Sequence, residues 1–225
     1  MAAAKRLRLR DVLRALGALH GRPRPPLPRT PLEWVLWENV AYLVDDERRG
    51  RAFRALAELT RCDPRRIAEA SAESLLAVTV LGGMHPEARV DRLKEIAALA
   101  LELGGGSLES LLLLPPAQAA KALARFPSIG APGAQKILMA CGAGEALALE
   151  SNGLRVLLRL GFGQESQNYA ASYRSVQQAL AGELPARPAE RLAAHQLLRA
   201  HGQALCKRTS PDCDACPLAA RCPSR

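Results

Sequence analysis

Four of the six cysteines fall within the last twenty residues, as Cys206, Cys213, Cys216 and Cys222 in the pattern C-x6-C-x2-C-x5-C. A helix would spread side chains this close in sequence around its axis, so the segment has to wrap as a loop. Pro211, Pro217 and Pro223 suit that, because each fixes φ and removes a backbone donor. Four thiolates brought together by one loop mean a metal centre or a pair of disulfides. Disulfides belong to oxidising compartments and small cysteine-rich secreted chains. Here the N-terminus is charged at every second or third residue and has no apolar core of a signal segment. Structural zinc is the stronger rival, but zinc loops usually use two short C-x2–4-C knuckles and only Cys213/Cys216 qualifies. The wider outer spacings favour an iron–sulfur cubane, with one cysteine to each iron.

The rest of the chain reads as helix. Aromatics make up 4% of 225 residues, alanine and leucine dominate, and no alternating β-branched segment stands out. No apolar run is long enough to span a membrane. The formal net charge is +9, and it is unevenly placed. Residues 1–30 hold eight Lys/Arg against Asp11 alone, and residues 186–225 hold seven against three acids, so the middle is slightly acidic. Basic ends around a near-neutral middle suit a polyanionic partner, with simple solubility as the alternative.

Residues 5–19 are predicted to form an amphipathic helix with Leu7, Val12, Leu13, Leu16 and Leu19 inward. A proline-rich connector with five prolines runs from Gly21 to Pro31. Pro31 then opens the most apolar helix, expected over Leu32–Val44. On it Glu38, Asn39, Tyr42 and Asp45/Asp46 form a narrow polar stripe, either a wet face or the wall of a polar cleft. Helices are expected at about 47–59, 64–80 and 86–103, with a turn at Leu81–Pro86 containing His85, a cap or a lesion contact. Ser107 is expected to cap a further short helix. A hairpin follows: a helix ending near Arg125, a turn Pro127-Ser128-Ile129-Gly130, and a second helix with Pro132 in its first turn. Backbone N–H groups at such a turn form a ready phosphate site.

Together, the hairpin and the cysteine loop resemble the endonuclease III family of helix-hairpin-helix DNA glycosylases. Phe126-Pro127-Ser128-Ile129-Gly130 is similar to that family's Leu-Pro-Gly-Val-Gly hairpin. His201-Gly202 followed by Cys206, Cys213, Cys216 and Cys222 matches its [4Fe-4S] pattern in type and spacing. The resemblance extends over essentially the whole chain. It implies an all-α, two-domain fold with a DNA cleft between the domains. One domain would be a helical barrel over 31–141, ending in the hairpin. The other would be an iron–sulfur domain built from 1–30 and 142–225.

The departures from that family bear on the chemistry. Members with lyase activity carry a lysine two residues after the last hairpin glycine, where this chain has Pro132; proline cannot form the Schiff base that the lyase step needs. Lys136 lies one turn further, about 6 Å along the helix, and is expected at the surface or against phosphate. The family's catalytic aspartate corresponds to Glu150 in Leu149-Glu150-Ser151-Asn152-Gly153-Leu154-Arg155-Val156. The resemblance implies that this carboxylate faces the sugar, stabilising oxocarbenium-like charge as glycosidase carboxylates do; the glutamate reaches about 1.5 Å further than aspartate. Glu38 falls where the adenine-excising branch has its general acid, and beside Trp34 and Trp37 it is expected to hold a proton near neutral pH. Asn152 resembles that branch's Asp-Gly-Asn asparagine. Leu43 replaces a glutamine that fills the hole left by a flipped base.

The catalytic residues are thus expected to be Glu150 and Glu38. The DNA contacts expected are Pro127, Ser128, Ile129, Gly130, Leu43, His85, Lys136 and Asn152. Two functions remain open at this point. One is a monofunctional glycosylase that flips and excises a damaged or mispaired base from duplex DNA with little lyase activity. The other is a catalytically degenerate relative that senses lesions or unusual DNA. Either would be a monomer associated with the nucleoid in the cytoplasm.

Overall fold

The computed structural model describes residues 6–225. Among them the fold is all-α, with one isolated parallel bridge between Tyr42 and Gly83. The helices are α1 Leu9–His20, α2 Pro31–Asn39, α3 Asp46–Thr60, α4 Pro64–Glu69, α5 Ala72–Leu81, α6 Pro86–Gly104, α7 Pro116–Leu123, α8 Ala131–Ala140, α9 Ser151–Arg159, α10 Tyr169–Leu180 and α11 Pro188–Ala204, with short 3-10 turns at Glu109–Leu113 and Ala219–Arg221. They divide into two compact units. Pro26–Ala143 carries α2 to α8, and the residues up to Pro25 join Gly144–Arg225 to carry α1 and α9 to α11. No helix among the described residues is long and apolar enough to cross a membrane.

In the unit spanning 26–143, α2 begins with a complete capping box. Thr30 Oγ1 accepts the Glu33 N–H while the Glu33 carboxylate accepts the Thr30 N–H, and Pro31 takes the first helical position. Leu32, Trp34, Val35 and Leu36 are buried. The helix stops at Asn39, five residues short of the expected Val44. The cause is tertiary. The Asn39 amide donates to Val35 O (3.0 Å) and to Pro127 O of the hairpin (2.9 Å), while the Tyr42 N–H donates to Gly82 O (2.9 Å). The two backbones lie so close that a Cβ on Gly82 would sit 2.1 Å from Val40 O. Asn39 is therefore buried, and of the expected polar stripe Glu38, Asn39 and Tyr42 share the wall of one cavity while Asp45 caps α3.

One other helix boundary and one inward position differ from expectation. The 64–80 segment is two helices, because Ser71 leaves helical geometry and caps α5 through the Ser74 N–H (3.1 Å). In the unit containing α1, Leu7, Leu9, Val12 and Leu16 are buried, but Leu19 is 45% exposed where an inward position was expected. The predicted start of that helix at Lys5 lies outside the described residues. Glu183 ties α1 down: one oxygen accepts the Leu9 N–H (2.6 Å), the other pairs with Arg6 (2.6 Å), whose guanidinium lies 4.0 Å over the Phe162 ring. Glycines set the approach of α9 to α11. A Cβ on Gly202 would lie 2.6 Å from Asn152 O, so only glycine fits there.

Candidate functional site

The hairpin is α7, the turn 126–130, and α8. Phe126 and Ile129 anchor the turn in the core, and the Ile129 N–H donates to Phe126 O (3.2 Å). The turn thus uses the Ile129 N–H internally. Ser128 and Gly130 are exposed. Gly130 caps α8, and the first turn of α8 contributes donors without intrahelical acceptors, less the one that Pro132 lacks. Ser128 takes the left-handed conformation, φ 61°.

Lys136, expected at the surface, is four-fifths buried. Its Nζ lies 2.5 Å from Glu38 Oε1 and 5.7 Å from the centre of the Trp34 ring. The second Glu38 oxygen faces Arg49 at 3.9 Å, and Arg49 also stands 5.7 Å over Trp37. The setting of Glu38 thus differs from the apolar one expected of a proton-holding acid. Two cations face it, one of them from a helix 98 residues later. Asn39 beside it fastens α2 to the hairpin turn.

Glu38, Asn39 and Ser128 line one cavity of about 360 Å³ together with Tyr42, Met84, His85, Arg89 and Arg92. His85 and Leu43 both adopt left-handed backbone, φ 54°. His85 tilts against the Tyr42 ring, 6.3 Å between centres. Leu43 projects from the neighbouring loop, 71% exposed. Arg89 is buried under this turn and donates to the carbonyls of Thr79, Gly83 and Met84. Tyr42 was expected in the polar stripe, but Arg89 was not singled out by sequence reasoning. In a helix that also carries Arg92 and Lys94, nothing in the sequence marks Arg89 as the one that turns inward.

In the other unit Glu150 is the cap of α9. Oε1 accepts the Gly153 N–H (2.6 Å) and Oε2 accepts the Asn152 amide (2.7 Å). Asn152 is committed within the protein, since its Oδ1 also accepts from Arg155 (2.8 Å). Arg155 in turn donates to Gly202 O and Cys206 O, both at 2.8 Å. A chain of hydrogen bonds therefore runs from Glu150 to the start of the cysteine loop. Tyr169 stands near enough to Glu150 that its phenol is pushed up, by burial first and then by that carboxylate. It too was missed, because its neighbour lies nineteen residues upstream on another element.

All six cysteines are free thiols. Cys206, Cys213, Cys216 and Cys222 line one cavity of about 110 Å³, bounded also by Arg159, Leu205 and Pro211. That is several times the roughly 30 Å³ share of one water molecule. Among the described residues no group of three or more His, Cys, Asp or Glu side chains is placed to hold a metal ion. The loop is surrounded by donors. Arg159 Nη1 lies 3.4 Å from Cys206 Sγ and also donates to Lys207 O (2.7 Å), and His201 Nε2 lies 3.5 Å from Cys216 Sγ. The Cys216 thiol is pushed up, chiefly by burial and then by the like charges of Cys206, Cys222 and Cys213. A bound cationic centre would reverse that repulsion. Cys62 and Cys141 are half-buried, and burial pushes their thiols up to about 11 and about 12, which disfavours the reactive thiolate.

No protein-family model and no curated protein matches the sequence. Solved structures do. A trapped endonuclease III–DNA covalent intermediate in an estranged-adenine complex aligns over 97% of this chain and 97% of its own, with TM-score 0.72 and 19% identity. The chain has the helix-hairpin-helix DNA glycosylase fold. A thermostable thymine-DNA glycosylase aligns over 96% of this chain and 95% of its own (TM-score 0.70, 15% identity). The H. pylori 3-methyladenine DNA glycosylase MagIII bound to 1,N6-ethenoadenine covers 88% of this chain and 95% of its own (TM-score 0.61, 17% identity). The same fold thus carries proteins named for different bases, and it is the side chains described above that distinguish this one.

Proposed function

We propose that the protein is a monofunctional DNA glycosylase that flips a damaged or mispaired base out of duplex DNA and hydrolyses its N-glycosidic bond. The observation that carries this reading is Glu150. Its carboxylate is held at the N-terminus of α9 by two donors, in a fold shared with enzymes that act on bases in DNA. Fixed in this way, it can face the positive charge that develops on the sugar as the bond to the base breaks, and needs no reorganisation at that moment. Water completes the hydrolysis: its oxygen bonds to the sugar carbon and its protons end on the sugar hydroxyl and the departing base. Pro132 supplies no amine for a covalent step, and Lys136 is engaged with Glu38, which supports hydrolysis without strand cleavage.

The remaining roles follow from position. The hairpin would take a phosphate at Ser128, Gly130 and the start of α8, with Pro127 shaping the turn. Leu43 would fill the space vacated by the flipped base, with His85 alongside. Glu38, an ion-paired carboxylate lining the 360 Å³ cavity, would accept hydrogen bonds from the base; the same pairing keeps Lys136 from the DNA backbone.

The four cysteines of the terminal loop would hold a [4Fe-4S] cluster. The cavity is larger than one ion needs, all four sulfurs line it, and no disulfide competes. Such a cluster would crosslink residues 206–222 and supply one-electron redox chemistry, without taking part in hydrolysis.

A second reading is a DNA-binding sensor without catalysis. It is favoured by one observation, that both Glu150 oxygens already have partners within the protein. One experiment separates the two. Duplexes carrying a panel of modified and mismatched bases are incubated with the protein, then treated with alkali to reveal abasic sites. Alkali-dependent cleavage at a particular base is expected. Tight binding to distorted duplexes with no excision from any substrate would support the sensor.

A further inference from the structure

His201 is 1% exposed and sits in the last turn of α11, five residues before Cys206. Its two ring nitrogens face different partners. Nε2 lies 3.5 Å from Cys216 Sγ, and Nδ1 lies 3.1 Å from Nε2 of His20, the last residue of α1. The two rings meet edge to face, 5.4 Å between centres at 67°.

The order of protons in this arrangement is fixed by counting. A sulfur bound to iron has no proton of its own, so the contact with Cys216 is a hydrogen bond only if His201 Nε2 carries hydrogen. The 3.1 Å between His201 Nδ1 and His20 Nε2 holds one hydrogen, so one ring donates and the other accepts, and burial of His201 disfavours a second proton on its ring. With its hydrogen on Nε2, His201 must accept at Nδ1, and His20 Nε2–H is the donor placed to supply it.

We propose that His20 and His201 form a two-step hydrogen-bond relay ending on the Cys216 sulfur, and that it raises the reduction potential of the group the four cysteines hold. Hydrogen bonds to cluster sulfurs stabilise the more negative, reduced state. His20 is the positioning residue: it touches no sulfur, but it selects the His201 tautomer that does. The inference rests on the iron–sulfur reading above. It assigns a role to the C-terminus of α1, which the hydrolytic reading does not use.

The test uses the protein purified anaerobically, with iron counted per chain before any potential is measured. His20→Phe keeps an aromatic ring against His201 but removes the donor. His20→Gln restores an N–H close to the position of Nε2. At equal iron content, spectroelectrochemical titration is expected to give a lower potential for His20→Phe and a value near wild type for His20→Gln. An unchanged potential in His20→Phe, or an equal fall in both variants, overturns the relay. Should the phenylalanine variant lose its iron, the wild-type protein still decides the matter. Its resonance Raman spectrum is expected to show an iron–cysteine stretch that shifts on exchange into D2O, and a spectrum insensitive to deuterium overturns the relay. Wild-type protein without iron overturns the cluster reading itself, and the relay with it.

Discussion

A proline ring at position 132 bears on the proposed absence of lyase activity, because the resemblance sets it where that family's lyases hold a reactive amine. Borohydride is expected to trap little or no protein–DNA adduct on abasic DNA, as read by gel shift under denaturing conditions. Strong trapping that disappears in Lys136→Ala would mean that Lys136 leaves Glu38 to react. Glu150→Gln is expected to lower single-turnover excision by roughly a hundredfold or more while DNA affinity stays within about twofold. Glutamine still presents a carbonyl oxygen to the Gly153 N–H, so the variant should fold. Cys213→Ala is expected to lose the iron and the brown colour. At this scale the candidate ligands were legible as spacing, four cysteines that line one cavity. Tyr169, Arg89 and the Lys136–Glu38 pair were not, because each acquires meaning from a residue distant in the chain.

Among the elements, helix beginnings were easier to read than helix ends. Pro31, Pro86 and Pro116 each stand at the first helical position, and Thr30 and Glu33 close a capping box from four consecutive residues. The stop at Asn39 is set instead by Pro127 O and by the backbone at Gly82, forty and more residues away. Gly82→Ala is therefore expected to destabilise the unit by about 2 kcal/mol or more, since its Cβ would meet a carbonyl rather than a yielding side chain; a urea titration measures this. Gly130→Asp probes the other turn. The position is open, with Pro132 Cδ at 3.9 Å the nearest atom to an added Cβ, so the fold should survive. The charge would oppose phosphate at the start of α8, and binding to duplexes of all sequences is expected to fall on the order of tenfold. Unchanged affinity would place the phosphate contact elsewhere.

For the molecule as a whole, the net charge of +9 and the basic residues near both ends give an expectation about salt. Duplex affinity is expected to drop on the order of a thousandfold between 50 and 200 mM salt if about six phosphates are contacted, a slope that equilibrium binding measures directly. The all-α class was visible from composition and periodicity, since scarce aromatics and abundant alanine and leucine leave little from which to build sheet. Nothing in composition foretells how tightly a chain must be bent locally. Ser128 shows what that bending leaves behind. A serine at φ 61° is held about 1 kcal/mol above the glycine that would relax there, so Ser128→Gly should raise the melting temperature by a few degrees. A protein engineer would take that exchange, yet the hydroxyl it discards lies on the wall of the 360 Å³ cavity. A variant that is hardier to heat and less discriminating among bases would reveal this one residue as the point where durability and selectivity pull against each other.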